Sequence, residues 1–153
     1  MLRDSDNSWI FQAVSKMYDL PKALADLWED YWLVTNGANR MCVAQHVFFW
    51  FAGPSGGLMA DGVITAAPAK MPAPDWQMPY WVGGSREAAR IPCYRVRVAY
   101  KQKYLTRRLR RPELASNRVL ARQRPIGPPY VGTNFMLAPG SEAELRRLLD
   151  NLA

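Results

Sequence analysis

Histidine and cysteine are scarce: His46, Cys42 and Cys93 are the only such residues in a chain of 153. Two thiols cannot build a disulfide framework, and with one imidazole they do not complete a four-ligand zinc site, so neither a metal nor a cofactor is expected. The same scarcity bears on nucleophilic catalysis, which needs a serine or cysteine beside a base. The single imidazole stands at the start of an apolar run, where a structural role is expected of it. A phosphate-cradling glycine loop is missing as well, because Gly53-Pro54-Ser55-Gly56-Gly57 joins two strand-like runs and opens no helix. No pair of carboxylates suited to acid–base work stands out; Asp61 lies alone inside an apolar run. Long hydrophobic runs are lacking too. Residues 41–60 carry no Lys, Arg, Asp or Glu, but glycines and Pro54 break them and leave only residues 47–52 unbroken, too few to span a bilayer. The opening MLRDSDNSW has Asp4 and Asp6 where a signal peptide would carry a basic patch and an apolar run, so a cytoplasmic protein with reduced thiols is expected.

What is present is length enough for one self-supporting domain over residues 1–153, with 49% hydrophobic and 22% charged residues. Charge is segregated along it. Residues 1–75 hold 5 basic and 8 acidic side chains, whereas residues 76–153 hold 15 basic and 5 acidic, giving the net +7. Between Arg86 and Arg124 lie 13 basic residues, 11 of them arginine, against two glutamates. Guanidinium groups grip phosphate oxygens with paired hydrogen bonds, so this segment suits a polyanion, and nucleic acid is the partner expected. A merely solvated basic surface is the alternative reading for any single cation.

Local patterns predict a mixed fold. Residues 9–14 read as a strand, and Asp19 caps a helix with Pro21 in its first turn that ends near Asp30. Residues 31–35 form a short strand leading into the Asn36-Gly37-Ala38-Asn39 loop, and residues 46–52 and 58–66 form an antiparallel hairpin. Four prolines over residues 68–79 predict an ordered loop without regular structure. From Tyr94 to Tyr104 the alternation of Tyr94, Val96, Val98, Tyr100 and Tyr104 with Arg95, Arg97, Ala99, Lys101 and Lys103 predicts a strand with one core face and one cationic face. Short helices are expected over residues 105–124, and Ser141 with Glu144 predicts a capping box ahead of a leucine-rich final helix. This non-alternating order implies an α+β fold: a curved, mostly antiparallel or barrel-like sheet flanked by helices.

Eighteen aromatics, including six tryptophans, exceed what patterned strands need for a core, and basic surface plus aromatic slot is how proteins hold an extruded base. In order, WIFQ, YDL, DYWLV, VFFWFAG, GVITAAP and GTNF resemble the EVE domain, a PUA-like family related to YTH readers, over residues 8–149. The resemblance implies a small twisted β-barrel with a pocket for a modified nucleobase, most often modified cytosine in DNA and in some relatives modified RNA. It implies base flipping without catalysis, and a nuclease or restriction component supplied in trans; no membrane association is expected.

Carried over by residue, the resemblance assigns Trp32 to stacking on the base and places Trp50 and Phe51 beside it, with Ala52 and Gly53 presenting backbone. Thr133 and Asn134 match GTNF at the mouth, and Ser15 and Asn36 complete the expected pocket. The sugar–phosphate backbone is assigned to Arg95, Arg97, Lys101, Lys103, Arg107, Arg108, Arg110 and Arg111. This chain departs from the family's pattern at Val14-Ser15, where Asn-Pro is usual, at Phe51, where a polar or basic residue is usual, and at the inserted Pro128-Pro129-Tyr130-Val131. Fewer polar groups imply recognition by stacking and apolar contact. A tryptophan on a strand can equally be core. Two other functions stay open: a hydrolase of modified nucleosides like the ASCH relatives, for which only Asp61 offers an acid, and a protein-interaction module docking through the apolar loop at residues 72–81.

Overall fold

The computed structural model describes residues 7–53 and 56–152. The acidic opening used to argue against a signal peptide, Asp4 and Asp6, and the Pro54-Ser55 tip of the hairpin lie outside the described residues. The described residues form six strands: β1 (Trp9–Val14), β2 (Glu29–Leu33), β3 (His46–Ala52), β4 (Gly57–Met71), β5 (Cys93–Lys103) and β6 (Asn134–Met136). Among the described residues four α-helices accompany them: α1 (Leu20–Asp26), α2 (Ser85–Ala89), α3 (Arg111–Ala115) and α4 (Pro139–Asp150). Among the described residues no helix is long and apolar enough to cross a membrane.

The strands form one sheet in the order β2-β5-β4-β3-β1-β6, antiparallel throughout except for the parallel β1–β3 pair. Its two edges are tied together: Thr35 N–H donates to Asn134 Oδ1 (2.9 Å), and Asn134 Nδ2 donates to the Leu33 carbonyl (3.1 Å). One amide side chain thus replaces the missing ladder between β2 and β6, and the sheet curls into an incomplete barrel, the curved α+β architecture the sequence predicts. Period-two alternation sorts the buried side chains to two sides. Val47, Phe49 and Phe51 of β3 enter an inner cluster with Trp9, Phe11 and Trp32, while Phe48 and Trp50 enter an outer one under Leu145 and Leu149 of α4.

Four local expectations are corrected. The first helix stops at Asp26, so β2 begins at Glu29 and Asp30 belongs to a strand. Strand β4 continues through Pro68 to Met71: Ala66 pairs with Arg97 and Ala69 with Arg95, so Pro68 sits in a bulge where its missing N–H is not needed. The final helix starts two residues before Ser141, which is buried within it, and Glu144 bonds Asn117 and Arg147, so no capping box forms. A bulge at Lys101, where Gly62 pairs with Tyr100 and Asp61 with Gln102, reverses the alternation. Tyr104 therefore joins the outer cluster, and Lys103 reaches the Leu24 carbonyl and the Trp28 ring.

Candidate functional site

The curl leaves a cavity of about 460 Å³ between the end of β1, strand β2 and the segment 130–133. Tyr18, Trp32 and Trp81 wall it, each almost wholly buried. The rings of Tyr18 and Trp81 meet edge-on at 4.8 Å, and Trp32 is tilted to Tyr18 at 6.4 Å. Met17, Tyr130 and Val131 form an exposed apolar rim. A volume in the range of small-ligand sites, about 300–1,000 Å³, with aromatic walls suits a flat apolar or aromatic guest.

The polar ends of these rings converge on one buried carboxylate, Asp30. Tyr18 Oη donates to it at 2.9 Å, Tyr100 Oη at 2.7 Å, Gln77 Nε2 at 2.6 Å and the Tyr31 N–H at 2.9 Å. Trp32 Nε1 donates to Tyr100 Oη (2.9 Å) and Trp81 Nε1 to Gln77 Oε1 (3.0 Å), so each aromatic wall is anchored to Asp30 directly or through one intermediary. Burial holds the Asp30 carboxyl above the usual carboxylate range, against the hydrogen bonds from Tyr100, Gln77 and Tyr18 that favour its ionised form. Burial, followed by the nearby Asp30 charge, raises the Tyr18 and Tyr100 phenols, so both remain donors. Rings fixed by such a network present a preorganised slot.

Gln12 on β1 lines the cavity and secures its lip. Its Nε2 donates to the Tyr130 and Gly132 carbonyls at 2.8 and 2.9 Å, which fixes the amide orientation and leaves Oε1 buried without a hydrogen-bond partner. Arg124 holds the same lip from outside, donating to the carbonyls of Pro129 (3.0 Å) and Val131 (2.9 Å). Gly132 has φ of +136°, and a Cβ there would lie 2.9 Å from Phe135 Cζ, so the lip requires glycine. Among the described residues no carboxylate, imidazole or thiol lines the cavity, and no group of acidic, His and Cys side chains is placed to hold a metal.

The expected site residues scatter around this cavity. Trp32 and Thr133 lie on its wall. Trp50 does not: it points to the outer side of β3, buried in the second cluster. Phe51 is in the inner core away from the lining, and Ala52, Gly53 and Ser15 also lie off it. Asn134 works as the barrel clasp, and with Asn36 it lines a second hollow behind the clasp. Of the expected phosphate contacts, Arg95 is corrected most sharply. It is 2% exposed and donates to the Met71, Ala89 and Ile91 carbonyls, joining the end of β4 to α2. Arg97 pairs with Glu29 at 2.8 Å. Arg108 donates to the Leu105 carbonyl and Arg111 to those of Pro125 and Ile126, so both brace loops. Lys101, Arg107 and Arg110 are exposed.

Asp61, the candidate acid, accepts from Tyr104 Oη (2.7 Å) and lies 3.6 Å from Arg146, outside the cavity lining. In the loop at residues 72–81, Ala73, Gln77, Tyr80 and Trp81 are buried, while Pro72, Trp76 and Pro79 are exposed. Sequence reasoning missed Gln12, Tyr18, Asp30 and Trp81. A legible signal existed for Asp30 alone, an acid directly before the aromatic pair Tyr31-Trp32.

No family model matches the chain, and no curated protein matches its sequence. Solved structures do match in three dimensions. A Pseudomonas putida protein is 22% identical with a TM-score of 0.66, over 92% of this chain and 98% of its own. The DUF55 domain of human thymocyte nuclear protein 1 is 16% identical with a TM-score of 0.59, over 95% and 99%. Human THYN1 protein, solved in complex with 5-methylcytosine-containing DNA, is 16% identical with a TM-score of 0.57, over 94% and 97%. The chain shares the α+β fold of these structures.

Proposed function

We propose that this chain, acting as one EVE-like domain, reads a modified base in nucleic acid by accepting the flipped base in the aromatic cavity. The observation that carries the proposal is the cavity itself: three rings, Tyr18, Trp32 and Trp81, held around it by one buried carboxylate. Support comes from the shared fold with human THYN1 protein, solved with 5-methylcytosine DNA. Modified cytosine in DNA is the first substrate to test. Binding is favoured over hydrolysis because no acid–base pair lines the cavity among the described residues. A nuclease partner in trans belongs to this proposal.

The test is an affinity panel on one oligonucleotide carrying cytosine, 5-methylcytosine, 5-hydroxymethylcytosine, thymine or N6-methyladenine at a single position, in DNA and RNA, single and double stranded. A preference for one modified base over its unmodified parent is expected, with release of neither free base nor altered nucleoside. Equal affinity across the panel overturns the reading.

A further inference from the structure

Behind the Asn134 clasp lies the second hollow, about 440 Å³, with chemistry opposite to that of the aromatic cavity. Arg40, Arg122 and Arg124 line it together with Asn36 and Gln123, and no acidic side chain does so among the described residues. The arginines come from separate places: Arg40 from the 3₁₀ turn Ala38–Arg40, Arg122 from the 3₁₀ turn Leu120–Arg122, and Arg124 from the chain beyond it. Gly37, with φ of +76°, lets the first of these turns lie against Trp9, whose ring would stand 2.7 Å from a Cβ. Arg40 and Arg122 are exposed, and among the described residues neither is in an ion pair. Guanidinium groups gathered without counter-charge repel one another, and an anion removes that cost.

We propose that this hollow holds backbone phosphate of the strand whose flipped base occupies the aromatic cavity, an assignment that rests on the base-reading proposal. The two recesses flank the same two chain segments: Thr35 and Thr133 line the cavity, while their chain neighbours Asn36 and Asn134 line the hollow. A flipped nucleotide carries a phosphodiester on each side of its sugar, so a phosphate falls next to any base held in the cavity. Arg124 links the two recesses, since it lines the hollow while its Nε and Nη2 hold the Pro129 and Val131 carbonyls of the cavity lip. Phosphate in the hollow and base in the cavity therefore bear on the same loop from its two sides.

The experiment measures the salt dependence of binding to matched modified and unmodified oligonucleotides for wild type, R40A/R122A, R124A and the control R107A/R110A, whose side chains are exposed outside the hollow. Each lost phosphate contact lowers the slope of log K against log salt by about 0.9 on duplex or about 0.7 on single strands. R40A/R122A is expected to lower the slope by one to two contacts and to weaken both oligonucleotides by the same factor, with thermal unfolding unchanged. R124A is expected to lower the slope and also the ratio between modified and unmodified strands. An unchanged slope in R40A/R122A, or a drop confined to R107A/R110A, overturns the assignment. If inorganic phosphate or 5-methyldeoxycytidine monophosphate binds wild type as tightly as the oligonucleotide does, the hollow serves a free anion and the strand assignment fails. A wild type that does not distinguish the modified strand, with the slope still falling in R40A/R122A, overturns base reading and leaves the phosphate site standing.

Discussion

The two sides of the curled sheet are both hydrophobic and both well buried, yet they are built differently. The inner cluster is aromatic and wired: Tyr18, Trp32, Tyr100 and Trp81 pack as rings while their polar atoms run to Asp30. The outer cluster is largely aliphatic, with Leu58, Leu109, Leu114, Leu120, Leu145 and Leu149 closing over Phe48 and Trp50. Trp32 and Trp50 make the contrast concrete. Both sit within strands, Trp32 on the edge strand β2 and Trp50 on β3, but Trp32 donates to Tyr100 and faces the cavity, whereas Trp50 Nε1 is buried without a hydrogen-bond partner. An aliphatic core needs only to exclude water; a binding slot needs rings that keep their places when empty, and hydrogen bonds to one hub supply that.

The largest expected effect tests whether the outer side is only structural. Trp50→Ala should cost about 3–5 kcal/mol and Leu145→Ala about 2–5 kcal/mol in urea unfolding, both with the modified-to-unmodified affinity ratio intact. A changed ratio in either variant would bring the outer side into the site.

Next in size is Asp30→Asn, which exchanges a carboxylate for a group with one acceptor and two donors of its own. It should cost about 1.5–3 kcal/mol of stability, the range for hydrogen bonds to a charged group, and should reduce the affinity ratio as the rings loosen. Its pH dependence has a definite sign. Burial raises the folded-state carboxyl above its unfolded value, so between the two the native protein binds more protons than the unfolded chain. Stability then falls as pH rises through that window and levels off above it. Unfolding curves at several pH values should show this fall in wild type and lose it in Asp30→Asn; parallel curves would mean the carboxyl is not raised.

Smaller again is Trp32→Phe. It keeps a ring against Phe49 and Phe11 but removes the bond to Tyr100, so about 0.5–1.5 kcal/mol of stability should go. Trp32→Ala would remove up to about 1–3 kcal/mol of stacking on a bound base, but as a buried core ring it would also destabilise the fold. Phenylalanine is therefore the informative variant, read by calorimetry beside the oligonucleotide panel.

How much of this was legible from sequence follows from range. The unbroken apolar run from Val47 to Phe51 and the period-two stretch from Tyr94 to Tyr104 are local, so the strands could be read from them. Whether a strand tryptophan faces cavity or helix depends on which side α4 covers, so Trp32 and Trp50 looked alike. The Asp30 hub joins residues far apart in the chain, Tyr18, Gln77 and Tyr100, and no local pattern announces it. The arginine-rich stretch was legible as composition. Which arginines are free was not, because Arg95 and Arg111 spend their donors on backbone carbonyls that only the fold brings near.

The smallest expected effect concerns the part of the outer face that the helices leave open. On β5, Arg97 is half exposed and Lys101 exposed, the remainder of the cationic strand face once Arg95 is buried and Lys103 is engaged with Leu24 and Trp28. Arg97 already has Glu29 as counter-charge, and an exposed pair of this kind contributes little, so Arg97→Gln with Lys101→Gln should change stability by less than about 0.5 kcal/mol. On the salt slope, Lys101 alone is uncommitted, and the double variant should lower it by no more than about one unit on duplex. Phosphate contacts carry no base identity, so the affinity ratio should not move. A slope change matching that of R40A/R122A would put the nucleic acid across β5, on the outer side of the sheet, and the division between a wired inner side that binds and an outer side that supports would fail.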